Sequence, residues 1–250
     1  MDTQYDRIAD AYDSLFLALP YRPNIEAPSV LRRVGDVRGL SVLDLACGTG
    51  VYSRKLRQLG AARVVGVDIS EGQIVQARAI EEQHPLGITY LQGDVTTLPL
   101  DEQFDLVVAV YLLHYAASPD QLDAMCREIA DHVQVGGRFV TYQLNPAFSR
   151  APDYYAHYGL LLNAKPDQES LVDGESFTFR VSVDNFTSDE LTVQYYSEAA
   201  LTQALERAGF SGIRFVQPEI LPEAVATYGP EHWQNYLTIP HCIVIEATKA

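Results

Sequence analysis

Val42-Leu43-Asp44-Leu45-Ala46-Cys47-Gly48-Thr49-Gly50 decides how this chain is built. Val42 to Ala46 reads as a buried parallel strand interrupted by one acid, since a strand covered on both faces runs almost continuously apolar. The Gly48-x-Gly50 turn follows, and Val51 to Leu59 has the make-up of a helix. Glycine at both positions lets the main chain bend sharply and lie close to a ligand with no Cβ in the way. The new helix then offers free N–H groups at its N-terminus. Asp44 stands inside the strand, where an unpaired carboxylate is costly to bury.

Working outward, a second strand, Arg63-Val64-Val65-Gly66-Val67-Asp68, also ends in an acid. Gly48 to Asp68 is about the spacing at which a Rossmann-type unit sets a carboxylate on a pair of ribose hydroxyls. A dinucleotide fingerprint asks for a further glycine where this chain has Ser53. Ser70-Glu71-Gly72-Gln73 reads as a capping box that opens a helix. Ile88 to Gln92 is a short third strand followed by Gly93-Asp94-Val95, and Phe104 to Val110 is a nearly all-apolar fourth. Pro119 to Val133 is an amphipathic helix, and Gly136-Gly137 leads into a fifth strand through Tyr142. Alternation of this kind predicts an α/β fold: a Rossmann-like, seven-stranded, mostly parallel, doubly wound sheet.

The alternation breaks at residues 145–196. Phe177, Phe179, Val181 and Val183 alternate with polar residues, as do Leu191, Val193 and Tyr195, on either side of a polar turn from Asn185 to Glu190. A period of two on both sides predicts an antiparallel hairpin, read as a small cap inserted over the substrate end. Ser197 to Ala208 is a helix closed by Gly209, and Gly212 to Val216 and His241 to Thr248 are the last strands. Tyr228, Trp233 and Tyr236 fall in a Gly/Pro-punctuated loop between them that is expected to line a pocket. The expected division is an N-terminal helical lid (1–40), a core (41–144), the cap (145–196) and a C-terminal completion of the sheet (197–250).

Net charge is −15 over 250 residues, a field that repels phosphate backbones and argues against a nucleic-acid partner. No run is long and apolar enough to span a bilayer, and the N-terminus lacks the basic and apolar regions of a signal peptide. Cys47, Cys126 and Cys242 have no metal-ligand spacing, so no metal and a cytoplasmic setting are expected. A small-molecule partner and a monomer or homodimer complete the expectation.

The strand ending Leu43-Asp44-x-x-Cys47-Gly48-x-Gly50 resembles the first motif of class I S-adenosylmethionine (SAM)-dependent methyltransferases. What the resemblance implies is a cofactor, SAM, released as S-adenosylhomocysteine (SAH). It implies cofactor contacts from Asp44, Ala46, Gly48 and Gly50 in the first loop and from Asp68 and Ile69 after the second strand. Asp94 and Val95 take the adenine, and Ala109 lies at the fourth strand. Tyr5-Asp6-x-Ile8-Ala9-x-x-Tyr12-Asp13 is similar to a segment that folds over the pocket in small-molecule methyltransferases. It places Tyr5 and Tyr12 beside the sulfonium, where a cation–π contact is worth roughly 0.5–2 kcal/mol. Over much of residues 1–145 the chain is similar, more closely, to bacterial small-molecule N-methyltransferases of the toxoflavin type. Tyr111-Leu112-Leu113-His114-Tyr115-Ala116 and Ala61 to Ser70 carry that likeness, and it favours an azapteridine-like heterocycle as acceptor.

Methyl transfer is an in-line displacement, so holding nucleophile, methyl and sulfur in line supplies most of the catalysis. A general base is needed only when the acceptor must lose a proton. His114 is the candidate base and Tyr111 an acid or a pocket wall, while His241 either faces the same pocket or, as the preferred reading, merely starts the last strand. Tyr21, Arg22, Tyr142, Tyr195, Trp233 and Tyr236 are the candidates for binding the acceptor. Alternatives to a small-molecule methyltransferase are a non-catalytic SAM/SAH-binding regulatory protein, a protein methyltransferase and, disfavoured by Ser53 and Asp94, a nicotinamide dehydrogenase.

Overall fold

The computed structural model describes residues 18–166, 169–183 and 186–250. A π-turn, Arg22–Glu26, runs into helix α1, Ala27–Val34. Then come β1 (Ser41–Leu45), α2 (Val51–Gln58), β2 (Arg63–Asp68), α3 (Glu71–Gln83), β3 (Thr89–Gln92) and β4 (Phe104–Val110). A 3₁₀ turn, Leu113–Tyr115, leads to α4 (Pro119–Asp131) and β5 (Val133–Leu144). The remainder is β6 (Leu160–Asn163), β7 (Ser176–Val183), β8 (Phe186–Thr187), β9 (Leu191–Gln194), α5 (Glu198–Arg207), β10 (Phe210–Val216), α6 (Pro222–Tyr228), α7 (Pro230–Thr238) and β11 (Cys242–Lys249).

Seven strands form one sheet in the order β10-β11-β5-β4-β1-β2-β3, and β11 is antiparallel to both neighbours while the other pairings are parallel. The expected fold is the one observed. Each strand alternates its apolar side chains between two cores. Leu43, Val65 and Val107 meet Leu122, Ile129 and Leu205 on one face, while Val42, Val64 and Val108 meet Val30, Leu56 and Ile74 on the other. Burying both faces is what a near-continuous apolar strand requires. Serine caps start three of the helices: Ser70, Ser118 and Ser197 each accept a bond from a backbone N–H three residues on.

From β1 the chain winds outward to β3 and then crosses back to β4 on the other side of β1. That reversal leaves a crevice at the carboxyl ends of β1 and β4, the place where open α/β sheets take ligands.

Within 145–196 stands a second sheet, in which β7 pairs with β6 on one side and with β9 and β8 on the other. Phe177 opposes Val193 and Phe179 opposes Leu191, the hairpin that the alternation predicts. Its expected polar turn is more structured than that, because Phe186 and Thr187 fold back on Val183 and Ser182. A third core of Tyr21, Ile25, Tyr155, Tyr158, Phe177 and Trp233 ties this sheet to the π-turn and α7. The stretch expected as a loop around Tyr228, Trp233 and Tyr236 is instead two helices, each with proline in its first turn. Among the described residues no helix is long and apolar enough to cross a membrane, and no cluster of three metal-ligating side chains occurs.

Candidate active site

A cavity of about 250 Å³ lies at the carboxyl ends of β1–β4. Ala46 and Gly48 line it from the loop after β1, Asp68 and Ile69 from the end of β2, Asp94 and Val95 after β3, and Tyr111 after β4. The loop's sharp path uses the left-handed backbone region, at φ 53° for Ala46 and 55° for Gly48. Asp68 clamps two loops: Gly48 N–H donates to its Oδ2 at 2.8 Å and Ser70 N–H to its Oδ1 at 2.9 Å. Asp94 Oδ1 accepts from the Thr96 backbone N–H and hydroxyl, both at 2.8 Å.

Asp44, Gly50 and Ala109 stand behind this wall. Asp44 is buried, and the Ser53 hydroxyl donates to its Oδ2 at 2.5 Å. Burial pushes the Asp44 carboxyl up to about 7, against the pull of the Ser53 hydrogen bonds. Ser53 therefore answers the question of who partners the strand acid. Gly50, at φ 84°, leaves room for protein: a Cβ there would stand 2.2 Å from the Tyr90 hydroxyl oxygen. Ala109 is packed in the sheet core.

Gln73, in the first turn of α3, lines the same cavity, and its Oε1 is buried with no hydrogen-bond partner. The sequence does not single it out, because there it reads only as part of a capping box.

The second cavity, about 90 Å³, lies between the ends of β4, β5 and β11 and the small second sheet. Leu144, Leu160, Phe177, Phe179 and Val193 give it apolar walls, and Tyr21, Arg22, His114 and His241 bring its polar atoms. Tyr111 and Tyr115 line both cavities. Tyr111 is held firmly. Its backbone is left-handed at φ 63°, its N–H donates to the Tyr142 carbonyl at 2.9 Å, and its hydroxyl donates to Glu26. Glu26 is completely buried and also accepts from Arg22 Nε at 3.2 Å and from the Tyr52 hydroxyl at 2.9 Å.

His114 sits in the 3₁₀ turn with Nδ1 3.1 Å from Gln143 Oε1. An amide oxygen only accepts, so the proton is on Nδ1 and Nε2 carries the lone pair. Burial lowers the His114 pKa to about 4, against the Gln143 hydrogen bond. His241 immediately precedes β11, as expected, yet its ring lines the cavity, which the strand assignment does not anticipate. The rings of Tyr21 and Tyr236 lie 4.8 and 5.3 Å from it, and its Nδ1 is buried with no partner. Burial, then the charges of His114 and Arg22, lower its pKa to about 3.

Tyr21 and Arg22 reach this cavity, whereas the other acceptor candidates lie behind its walls. Tyr142 and Tyr236 are fully buried with their hydroxyls 3.1 Å apart, and Trp233 is buried on α7, stacked on Tyr158. Tyr195 is half-buried against the third core. Core packing absorbs Trp233 and Tyr236 because helix α7 turns them inward, and Tyr142 because it lies in β5 of the central sheet. Tyr5 and Tyr12 lie outside the described residues. The Arg22/Glu26 spacing of four is the one signal in the sequence for the buried pair, which the sequence reading misses.

Residues 42–137 match the family described as a methyltransferase domain. A demethylmenaquinone methyltransferase of Lactococcus lactis is 31% identical over 160 residues, 60% of this chain and 62% of the relative. A ubiquinone biosynthesis O-methyltransferase of Coxiella burnetii is 34% identical over 113 residues, 45% of this chain and 47% of the relative. This chain thus spans less than two thirds of the length of either. In structure it is similar to a SAM-dependent methyltransferase of Mesorhizobium loti, with a TM-score of 0.63 at 22% identity over 92% of this chain and 98% of that one.

Proposed function

We propose that this chain is a class I SAM-dependent methyltransferase that methylates nitrogen or oxygen of a small aromatic or heterocyclic molecule, a reading supported by the methyltransferase-domain match over residues 42–137. One observation carries the reading: a polar cavity at the sheet's ligand end and an apolar cavity share Tyr111 and Tyr115 as their common wall. The polar cavity suits SAM. Asp68 offers a carboxylate for the ribose hydroxyls, Asp94 one for the adenine amino group, and the orphaned Gln73 Oε1 waits for a donor. Ile69, Val95 and Leu98 give a flat base an apolar slot. When bound, SAM supplies a methyl group on a sulfonium and leaves as SAH.

The chain's own work is positional. Asp68 fixes the loop after β1 to the loop after β2, and Glu26 fixes the Tyr111 ring between the cavities. The apolar walls around the acceptor exclude water, and His114, on the same wall, is the group placed to take a proton. At about 90 Å³ the acceptor cavity suits a small ring compound and not a polypeptide. An azapteridine-like heterocycle of the toxoflavin type is the proposed acceptor within this class.

A methyl-transfer screen over hydroxylated aromatics and nitrogen heterocycles tests the proposal, with SAH release as the readout. One SAH formed for each heteroatom methylated is the expected result. Tight SAH binding with no acceptor turned over would favour the non-catalytic reading.

A further inference from the structure

We infer that the acceptor enters as an uncharged ring bearing a weakly acidic N–H or O–H, a lactam, imide, enol or phenol, and not as a protonated amine. The inference rests on the methyltransferase reading and narrows its substrate. Three features of the acceptor cavity carry it.

The first is the arrangement of charge. Arg22 lines the cavity, while its partner Glu26 lies behind it, wrapped by Arg22, Tyr52 and Tyr111. An acceptor therefore meets the positive end of a buried ion pair. That end favours negative charge developing on the reacting atom and disfavours an ammonium group.

The second is the tautomer of His114. Gln143 holds the proton on Nδ1, so the Nε2 lone pair is the ring's available acceptor in a wall made largely of aliphatic and aromatic side chains. The third is His241, a second imidazole on the same wall, kept neutral by its aromatic surroundings. Two neutral imidazoles and a guanidinium suit a neutral X–H that must lose its proton. An ammonium would need a carboxylate at this spot, and among the described residues that line the cavity there is none.

The step balances without another reagent. The acceptor heteroatom forms its bond to the methyl carbon using the electron pair released from its bond to hydrogen. That proton passes to Nε2 of His114, and the carbon–sulfur bond of the methyl donor breaks with its pair remaining on sulfur. Imidazolium then returns its proton to solvent when the product leaves.

The test begins with SAH titration of the whole chain, since failure to bind SAH would sink the methyltransferase reading itself. With SAH bound, phenol and benzylamine, similar in size but neutral and cationic respectively near neutral pH, are titrated next. The inference expects phenol to bind at least tenfold more tightly; tighter benzylamine, or binding of neither, overturns it. His114→Asn is then compared with wild type over a series of phenols or lactams of rising acidity. General-base catalysis is worth roughly 10²–10⁴-fold, so kcat should fall by that factor on weakly acidic acceptors. The deficit should shrink on acceptors that ionise unaided, with SAH affinity unchanged. A deficit of the same size across the series would show a structural role and overturn the base assignment. Should His114→Asn fail to bind SAH, the wild-type preference between the two probes decides alone.

Discussion

The cavity proposed for the cofactor and the one proposed for the acceptor touch at Tyr111 and Tyr115 yet are built in opposite ways. The first is assembled from the ends of four consecutive parallel strands, with two carboxylates and an orphaned amide on its walls. The second is assembled from segments far apart in the chain, around residues 19–22, 111–115, 144–193 and 241–242, and its walls are apolar. A polar site needs particular atoms at particular turns, so its residues announce themselves as motifs. An apolar site needs only enclosure. Any leucine or phenylalanine brought there by the fold will serve, and nothing local marks it.

The difference can be broken or sharpened by substitution, and the largest effect is expected in the cofactor cavity. Asp68→Ala should weaken SAM binding by roughly 10²–10⁴-fold, the loss of about two hydrogen bonds to a charged group at roughly 1.5–3 kcal/mol each. Titration calorimetry reads it, with thermal melting to confirm that the fold persists. Unchanged affinity would remove the ribose from Asp68.

Glu26→Gln strikes mainly the acceptor side, because Arg22 lines that cavity and not the other, while Tyr111 is shared. It removes the Glu26 charge from the buried pair with Arg22, and breaking such a pair costs about 3–5 kcal/mol. Denaturant unfolding should show that loss, while SAM affinity of the folded fraction stays within a factor of about three of wild type. An equal loss in SAM binding would mean the two cavities are not separable units.

A smaller effect separates backbone need from ligand need at Gly50. Gly50→Ala should destabilise by about 2–4 kcal/mol, from the left-handed backbone and from overlap with the Tyr90 hydroxyl. That hydroxyl has no hydrogen-bond partner, so Tyr90→Phe alone should cost little, and the double variant should regain the overlap part. If the double variant is no more stable than Gly50→Ala, crowding by Tyr90 is not the reason for glycine at this position.

The smallest effect is one of pH. Asp44 titrates at about 7 in the folded chain, above its ordinary 3.8, so its contribution to stability is full below about 3.8 and is lost as pH rises through 7. His114 and His241, lowered to about 4 and about 3, act in the opposite sense, and their contribution is lost as pH falls below the ordinary 6.5. Asp44→Asn removes the first trend and keeps the second. Relative to wild type its stability should improve between pH 4 and 8, by an amount on the order of a few kcal/mol. A pH-independent difference would mean that Asp44 is ionised when folded.

The same contrast sets how much was legible in the sequence. The sheet, its order of strands and helices, and the positions of Asp68 and Asp94 follow from a buried strand, a glycine turn and acids at strand ends. Those are local signals with a period or a spacing. Gly48 and Gly50 look alike in the sequence, yet one lines the cavity and the other makes room for Tyr90, a residue forty positions away. The tyrosine-rich C-terminal stretch advertises a pocket, but it forms two proline-started helices that turn Trp233 and Tyr236 into the core. Conversely His241 looks like the plain start of a strand. Only the antiparallel pairing of β11 with β5 places it beside Tyr21 and Arg22. Glu26, which anchors Tyr111, becomes visible only once residues 26, 52 and 111 are brought together in space.

The most direct test is calorimetric titration of the purified chain with SAM, SAH and NAD. A SAM cavity at the ends of β1–β4 predicts saturable binding of SAM and SAH at one site and no heat with NAD. Binding of NAD, or no binding of SAM, would contradict the assignment of Asp68, Gln73 and Asp94 to that cofactor.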